Sequence, residues 1–252
     1  MSTPRITIIT VVYNSEKLLP ITIQSIEAIK SDKIEWVVVD GASSDNSLAV
    51  LKQHEGLIDS LISEPDKGIY DAMNKGLKKS TGDYVIFINA GDEIRKEAVE
   101  KIFELNLDAD IIYGDALYVN DSREPLGLRS KFTSRSLPSS LTLNSYTMGQ
   151  RVSHQSFLVK RILAPGYNLE YKISADYDWM VTCIKRSASN YNLQIPLSNF
   201  LYGGISKQNQ KQALTERFSI MKNHYGLMMT LYSHFKIVLR GIGFYGRNQR
   251  MD

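Results

Sequence analysis

Apolar runs alternate with helical spacing through the first half of the chain. Residues 6–12 form a continuous run rich in β-branched side chains, and Leu18, Leu19, Thr22, Ile26 and Ile29 follow at mostly three- and four-residue spacing. The same order then repeats. WVVVD at 36–40 precedes a short helix through Val50 and Leu51, a weaker strand at 57–62 precedes a helix at 69–77, and YVIFIN at 84–89 precedes Ala98, Ile102 and Leu105. DIIY at 110–113 reads as a further strand. Strands without polar alternation, separated by amphipathic helices, predict an α/β fold with a mostly parallel central sheet covered on both faces. Ligands of such sheets lie beyond the carboxyl ends of the strands.

The rhythm changes near residue 115. Residues 120–150 are rich in Ser, Pro, Gly and Asn and read as loop and hairpin, HQSFLV at 154–159 as a strand, 173–186 as a helix and 195–202 as a strand. From Gln208 a single helical pattern runs toward Arg240. At ~150 residues per domain, 252 residues suit one large α/β domain with an appendage. We place the main domain at 1–206, with halves of about 1–115 and 116–206, and a helical extension at 207–252.

Charge sharpens that division. The chain carries 30 Lys and Arg against 27 Asp and Glu; residues 207–252 hold eight of the former and two of the latter, leaving 22 against 25 in the rest. A basic tail on a mildly acidic body points to an anionic partner at one end. The cations are spread along the tail without a recognisable nucleic-acid module, so no nucleic-acid partner is expected. The single Cys183 excludes a disulfide scaffold, and its helical apolar spacing reads as core packing. His54, His224 and His234 lack zinc spacing. The opening MSTPRITIITVVYN reads as a strand, not a secretion signal, and no stretch of 18 uncharged apolar residues occurs. A cytoplasmic protein is expected.

Polar residues gather where the apolar strands end: Tyr13-Asn14, the stretch Asp40 to Asp45, and Asn89-Ala90-Gly91-Asp92. Each alone reads as a turn, with Asp45 and Asp92 capping the helices that follow. Three at one sheet edge read as a ligand site. Neither GxGxxG nor GxxxxGK[ST] occurs, so no dinucleotide fold or P-loop is signalled.

ITIITVVYNSEKLLPITIQSI, VVVDGASSDNS, SEPDKGIYDAMNKGLKKSTGDYVIFINAGDE, HQSFLVKR, ISADYDW and GGIS follow one another in that order. Across roughly residues 5–206 the chain resembles a family 2 glycosyltransferase of GT-A fold, of the kind that assembles bacterial surface polysaccharides. The resemblance implies transfer of a sugar from a nucleotide diphosphate donor, often UDP-linked, with inversion at the anomeric carbon and with Mn²⁺ or Mg²⁺. Carried over by position, Val11 and Tyr13 flank the nucleobase and Asp40 accepts its N–H. Asp66 and Lys67 meet base, ribose or phosphate, and Asn74 and Asn89 complete the donor pocket. The family's Ala-Arg-Asn stretch stands here as Ala72-Met73-Asn74, so its Arg is missing and Lys67 or Lys75 substitutes. The family's Asp-x-Asp stands as Asn-Ala-Gly-Asp, which leaves Asp92 as the direct metal ligand. The family's base matches Asp176, with Asp178 the competitor two residues on. His154 and Gln155 begin a strand near the reaction centre, and the loop 203–206 closes over the donor.

The acceptor implied is a saccharide or a polyprenyl-diphosphate-linked saccharide. A sugar-nucleotide nucleotidyltransferase is disfavoured, because YNSEKLLP lacks the Gly-rich basic loop that class needs after strand one. A catalytically dead sugar-nucleotide-binding or scaffold protein is suggested by the thinned metal motif and opposed by the presence of Asp92 and Asp176. In the tail, Met228, Leu231, Tyr232, Phe235, Val238, Leu239 and Ile242 form one apolar stripe. Such a helix packs on its own domain, on a sister subunit as a homodimer, or on a membrane surface through about 226–250, making the protein peripheral on the cytoplasmic face of the inner membrane.

Overall fold

The computed structural model describes residues 5–132, 136–202 and 210–248. The chain opens with β1 (Ile6–Val12), α1 (Leu19–Glu27), β2 (Ile34–Asp40), α2 (Ser47–Gln53), β3 (Ser60–Ser63), α3 (Ile69–Lys79) and β4 (Tyr84–Phe87). Next come β5 (Glu93–Ile94), α4 (Lys96–Glu104), β6 (Ile111–Val119), β7 (Pro125–Leu128), α5 (Arg129–Phe132) and α6 (Leu143–Tyr146). The remainder is β8 (Phe157–Lys160), α7 (Ala175–Arg186), β9 (Asn190–Leu201), α8 (Gln210–Tyr225) and α9 (Leu227–Asn248).

The sheet order is β3-β2-β1-β4-β8-β6-β9-β5, with β7 paired to β6. From β3 to β4 every pairing is parallel, as the uninterrupted apolar runs predict. β8 joins antiparallel to both β4 and β6, β9 runs parallel to β6, and β5 closes the edge antiparallel to β9. Every residue of β1 and β2 is buried because both faces are covered. Ile9, Val37 and Phe87 pack with Tyr70, Met73 and Trp179 on one face; Ile8, Val38 and Ile86 pack with Leu19, Ile23 and Ile102 on the other. Each such buried side chain contributes ~1.5–3 kcal/mol relative to exposure, so these two layers hold the frame.

The chain moves from β1 outward to β2 and β3, then crosses back to β4 on the far side of β1. That reversal leaves a crevice at the carboxyl ends of β1 and β4, where ligands of open α/β sheets bind.

Three expectations need correction. His154 and Gln155 do not begin a strand; they lie in a 3₁₀ turn, His154–Ser156, ahead of β8. Asp92 does not cap a helix, since β5 intervenes and Arg95 stands at the start of α4. The single C-terminal helix is two, broken at Gly226, whose φ of +80° lies in the left-handed region that glycine adopts without strain. Residues 203–206 lie outside the described residues. Among the described residues no helix is long and apolar enough to cross a membrane.

Candidate active site

At the ends of β1 and β2 two loops lock together. Asn14, with φ +47°, donates its N–H to Ser43 Oγ (2.9 Å) and accepts Ser44 N–H at its side chain (2.8 Å). Ser15 N–H reaches Ser47 Oγ (2.7 Å), and Asp45 accepts the N–H groups of Glu16 (3.0 Å) and Ser47 (2.9 Å). Fixed this way, Tyr13 stands exposed above buried Val11. Asp40 is wholly buried and accepts Ser63 Oγ–H (2.7 Å) and both the N–H and the hydroxyl of Ser43. The Ser43 N–H is shared between the two oxygens (3.2 and 3.3 Å), so each Asp40 oxygen accepts two contacts. A Cβ on Gly41 would run into the Asp66 carboxylate and reach Tyr13 (3.5 Å), so glycine lets β2 approach both. Asp66 turns the loop by accepting Gly68 N–H (2.8 Å), and the Lys67 backbone N–H bonds Asp71 (3.0 Å), leaving the Lys67 residue exposed. Lys75 is committed elsewhere: it pairs with Glu64 (2.9 Å) and donates to Pro65 O (2.8 Å). Asn74 spends both amide atoms on the Tyr167 backbone, at 3.0 and 2.7 Å.

Asp92 follows β4 at the same edge. Its backbone carbonyl accepts Thr22 Oγ1–H (2.8 Å), and that hydroxyl also accepts Gly91 N–H (2.9 Å), tying the loop to α1. Its carboxylate accepts Leu201 N–H (3.2 Å) and Gln155 Nε2–H (3.1 Å). Burial pushes this carboxyl up to about 7, against the pull of those bonds and of Arg123. Arg123, at φ +66°, donates to Gly91 O (2.7 Å), and its buried Nε has no partner among the described residues. The buried Asn89 Oδ1 is likewise unpartnered. Among the described residues no group of three or more His, Cys, Asp or Glu gathers. Asp92 and the orphaned Asn89 oxygen nonetheless suit a hard cation that takes one or two protein ligands and completes its shell with phosphate oxygens.

The third part of the site is the start of α7. Asp176 lies in its first turn, partly exposed, and its Oδ1 sits 3.4 Å from the Tyr70 hydroxyl, which donates chiefly to Ile173 O (2.8 Å). Asp178 instead bonds His224 Nε2 of α8 at 2.7 Å. Glu216 of α8 accepts the N–H groups of Lys172, Ile173 and Ser174, each at 2.9 Å, and these hold its carboxyl below the ordinary range despite partial burial. His154 is buried in the 3₁₀ turn ahead of β8. It bonds the Tyr167 hydroxyl at 2.7 Å and stacks on Phe87, and burial lowers it to about 4 while Asp176 pulls the other way. The adjoining Gln155 reaches Asp92, so one short turn spans the metal-side and helix-side carboxylates.

The profile described as Glycosyl transferase family 2 matches residues 7–163. The chain belongs to this family. A PGL/p-HBAD biosynthesis glycosyltransferase of Mycobacterium bovis is 27% identical over 219 residues, covering 82% of this chain and 80% of the relative. An uncharacterised glycosyltransferase of Mycobacterium tuberculosis is 27% identical over 99% of this chain and 95% of its own. Among solved structures, S. aureus TarS residues 1–349 align with a TM-score of 0.67 at 18% identity, over 92% of this chain and 72% of that one. A mannosyltransferase of Pyrobaculum calidifontis, solved with GDP-Man and Mn²⁺, aligns with a TM-score of 0.67 at 18% identity, over 92% and 70%. These neighbours share the GT-A fold.

In this glycosyltransferase the structure gathers Tyr13, Asp40 and Asp66 at one end of the crevice and links Asp92, after β4, to Gln155 ahead of β8 and to Leu201 of β9. Tyr70, Arg123, Glu216 and His224 are contacts that spacing does not reveal. Glu216 alone carried a signal, as the sole acidic residue among 207–251. Cys183 is core, and burial pushes its thiol up.

Proposed function

We propose that the protein is an inverting transferase that moves a sugar from a UDP-linked donor to a saccharide or lipid-linked saccharide acceptor, with Asp176 as general base. The observation that carries this is the unequal fate of two neighbouring carboxylates. Both are partly exposed, but Asp178 is held by His224 at 2.7 Å, whereas among the described residues Asp176 keeps only a long 3.4 Å contact to Tyr70, which suits a group that must take a proton.

The acceptor oxygen forms a bond to the anomeric carbon as its proton passes to an Asp176 carboxylate oxygen. The carbon–oxygen bond to the diphosphate breaks with its electron pair on the nucleoside diphosphate, so attack and departure occupy opposite faces. Tyr13 offers a ring face to the base, Asp40 its carboxylate to a base N–H, and Asp66 and Lys67 bound the ribose and phosphates. Mn²⁺ or Mg²⁺, when bound by Asp92 with Asn89, supplies positive charge against the leaving diphosphate. Arg123 adds a fixed cation on the same side. Solved neighbours hold UDP, UDP-GlcNAc and GDP-Man. UDP is assigned here from the family resemblance and from the neighbours that hold UDP and UDP-GlcNAc. We take the reaction to be cytoplasmic.

Incubation with UDP-sugars and GDP-mannose in Mn²⁺, read by nucleoside diphosphate release and by NMR of the anomeric product, tests this reading. Release from a UDP-sugar with an inverted linkage is expected. A retained linkage, or turnover of GDP-mannose alone, contradicts it.

A further inference from the structure

Helix α9 is amphipathic in the reverse sense for a helix bathed in water. The stripe it turns toward the protein is polar: Thr230 and Ser233 are buried, and the half-buried His234 packs against Phe218 of α8 with ring centroids 5.1 Å apart. Those polar groups are satisfied locally, Thr230 donating to Gly226 O (2.8 Å) and His234 Nδ1 lying 2.9 Å from Thr230 O. The stripe turned outward is Met228, Leu231, Tyr232, Phe235 and Leu239, each between 49 and 80% exposed. Val238 and Ile242 of the predicted stripe have side chains outside the described set. A surface helix ordinarily buries its apolar stripe, and a contiguous exposed one marks an interaction site.

Charge decides between occupants. Residues 207–252 hold eight Lys and Arg against two carboxylates, Asp252 and Glu216, the latter already engaged by three backbone N–H groups. α9 itself contains no Asp or Glu. Lys236 is exposed at the border of the stripe, its Nζ 4.3 Å from the Tyr232 ring centroid. A second copy docked through the same face would set α9 against α9, a helix that contains Lys236, Arg240 and Arg247 and no Asp or Glu to answer them. An anionic lipid surface complements both features, receiving apolar side chains below the headgroups and cations at the phosphates. Among the described residues no helix is long and apolar enough to cross a membrane, so contact through α9 would be interfacial. Gly226, where a Cβ would meet nothing within 4 Å, sets α9 off from α8.

We infer that α9 docks the protein peripherally on a membrane rich in anionic lipid. The inference is independent of the proposed base and donor. Full-length protein is to be sedimented with vesicles of phosphatidylcholine alone and of phosphatidylcholine with phosphatidylglycerol. Binding only to the anionic vesicles at low salt is expected, weakening as salt shortens the reach of surface charge. Leu231→Ser with Phe235→Ser alters two exposed positions; it should keep the melting temperature and lower vesicle affinity about tenfold or more. Lys236→Glu should weaken binding and leave less of it to be removed by salt. Failure to sediment with anionic vesicles at low salt, or equal binding by the double variant, overturns the inference. A dimer by light scattering that the double variant dissolves, without vesicle binding, assigns the face to a second copy.

Discussion

The Glu216 carboxylate accepts the backbone N–H of Ser174 at 2.9 Å, two residues ahead of Asp176. The same carboxylate takes the N–H groups of Lys172 and Ile173, so it answers three successive backbone donors of the segment that leads into α7. α8, which lies beyond the segment matched by the family profile, therefore sets the position of the helix that carries Asp176. Ile220 and Met221 bury beside it, and His224 holds Asp178 from the same helix.

Glu216→Ala should cost about 1–3 kcal/mol of stability, by leaving three backbone donors ahead of α7 unpaired. It should also lower kcat more than it raises the KM for donor, because the donor loops do not touch it. The carboxyl is held below its ordinary range in the folded state. Its contribution is present above the unfolded pKa and lost as pH falls through the lowered folded one. Denaturant melts of wild type and Glu216→Ala at pH 7 and at acid pH should converge as the pH falls; a constant gap contradicts this.

His154 should make folding acid-sensitive. Burial holds it neutral down to about 4, whereas in the unfolded chain it takes a proton near 6.5. Above pH 6.5 both states are neutral and nothing changes. Between 6.5 and 4 the unfolded state binds the extra proton, so stability falls by up to about 1.4 kcal/mol per pH unit. The wild-type minus His154→Gln difference in unfolding free energy isolates that slope from the opposing titration of Asp92, and a flat difference would show that His154 protonates in place.

Asp92→Asn keeps shape and removes charge. Metal-dependent donor binding should weaken by at least tenfold, and EDTA should silence the wild type. Because burial of the ionised carboxylate is costly, the variant should melt no lower than wild type in EDTA. Full turnover in EDTA would mean that Arg123 and Lys67 alone manage the leaving group.

Much of this was legible from residue order. Continuous apolar runs gave β1, β2 and β4 because a strand covered on both faces has no polar side to alternate with. Tyr13, Asp40 and Asp92 stood out because they end such runs. The failures have physical causes. HQSFLV is apolar only from Phe157 onward, and its polar half turns in a 3₁₀ helix so that Gln155 can reach Asp92, 63 residues away. The break at Gly226 is not legible in residue order because one glycine within a helical period is tolerated, and only its φ shows the chain changing direction. The antiparallel insertion of β8 between β4 and β6 is a tertiary choice that strand composition does not encode. Choosing between Asp176 and Asp178 required His224, 46 residues farther along.

The most direct test is the pair Asp176→Asn and Asp178→Asn, assayed for turnover and donor affinity under the same conditions. Base catalysis contributes about 10²–10⁴-fold, so Asp176→Asn should lose that much turnover with donor affinity little changed. Asp178→Asn should lose stability with His224 and keep most of its turnover per folded molecule. An inactive Asp178→Asn beside an Asp176→Asn that turns over like wild type would contradict the assignment of the base.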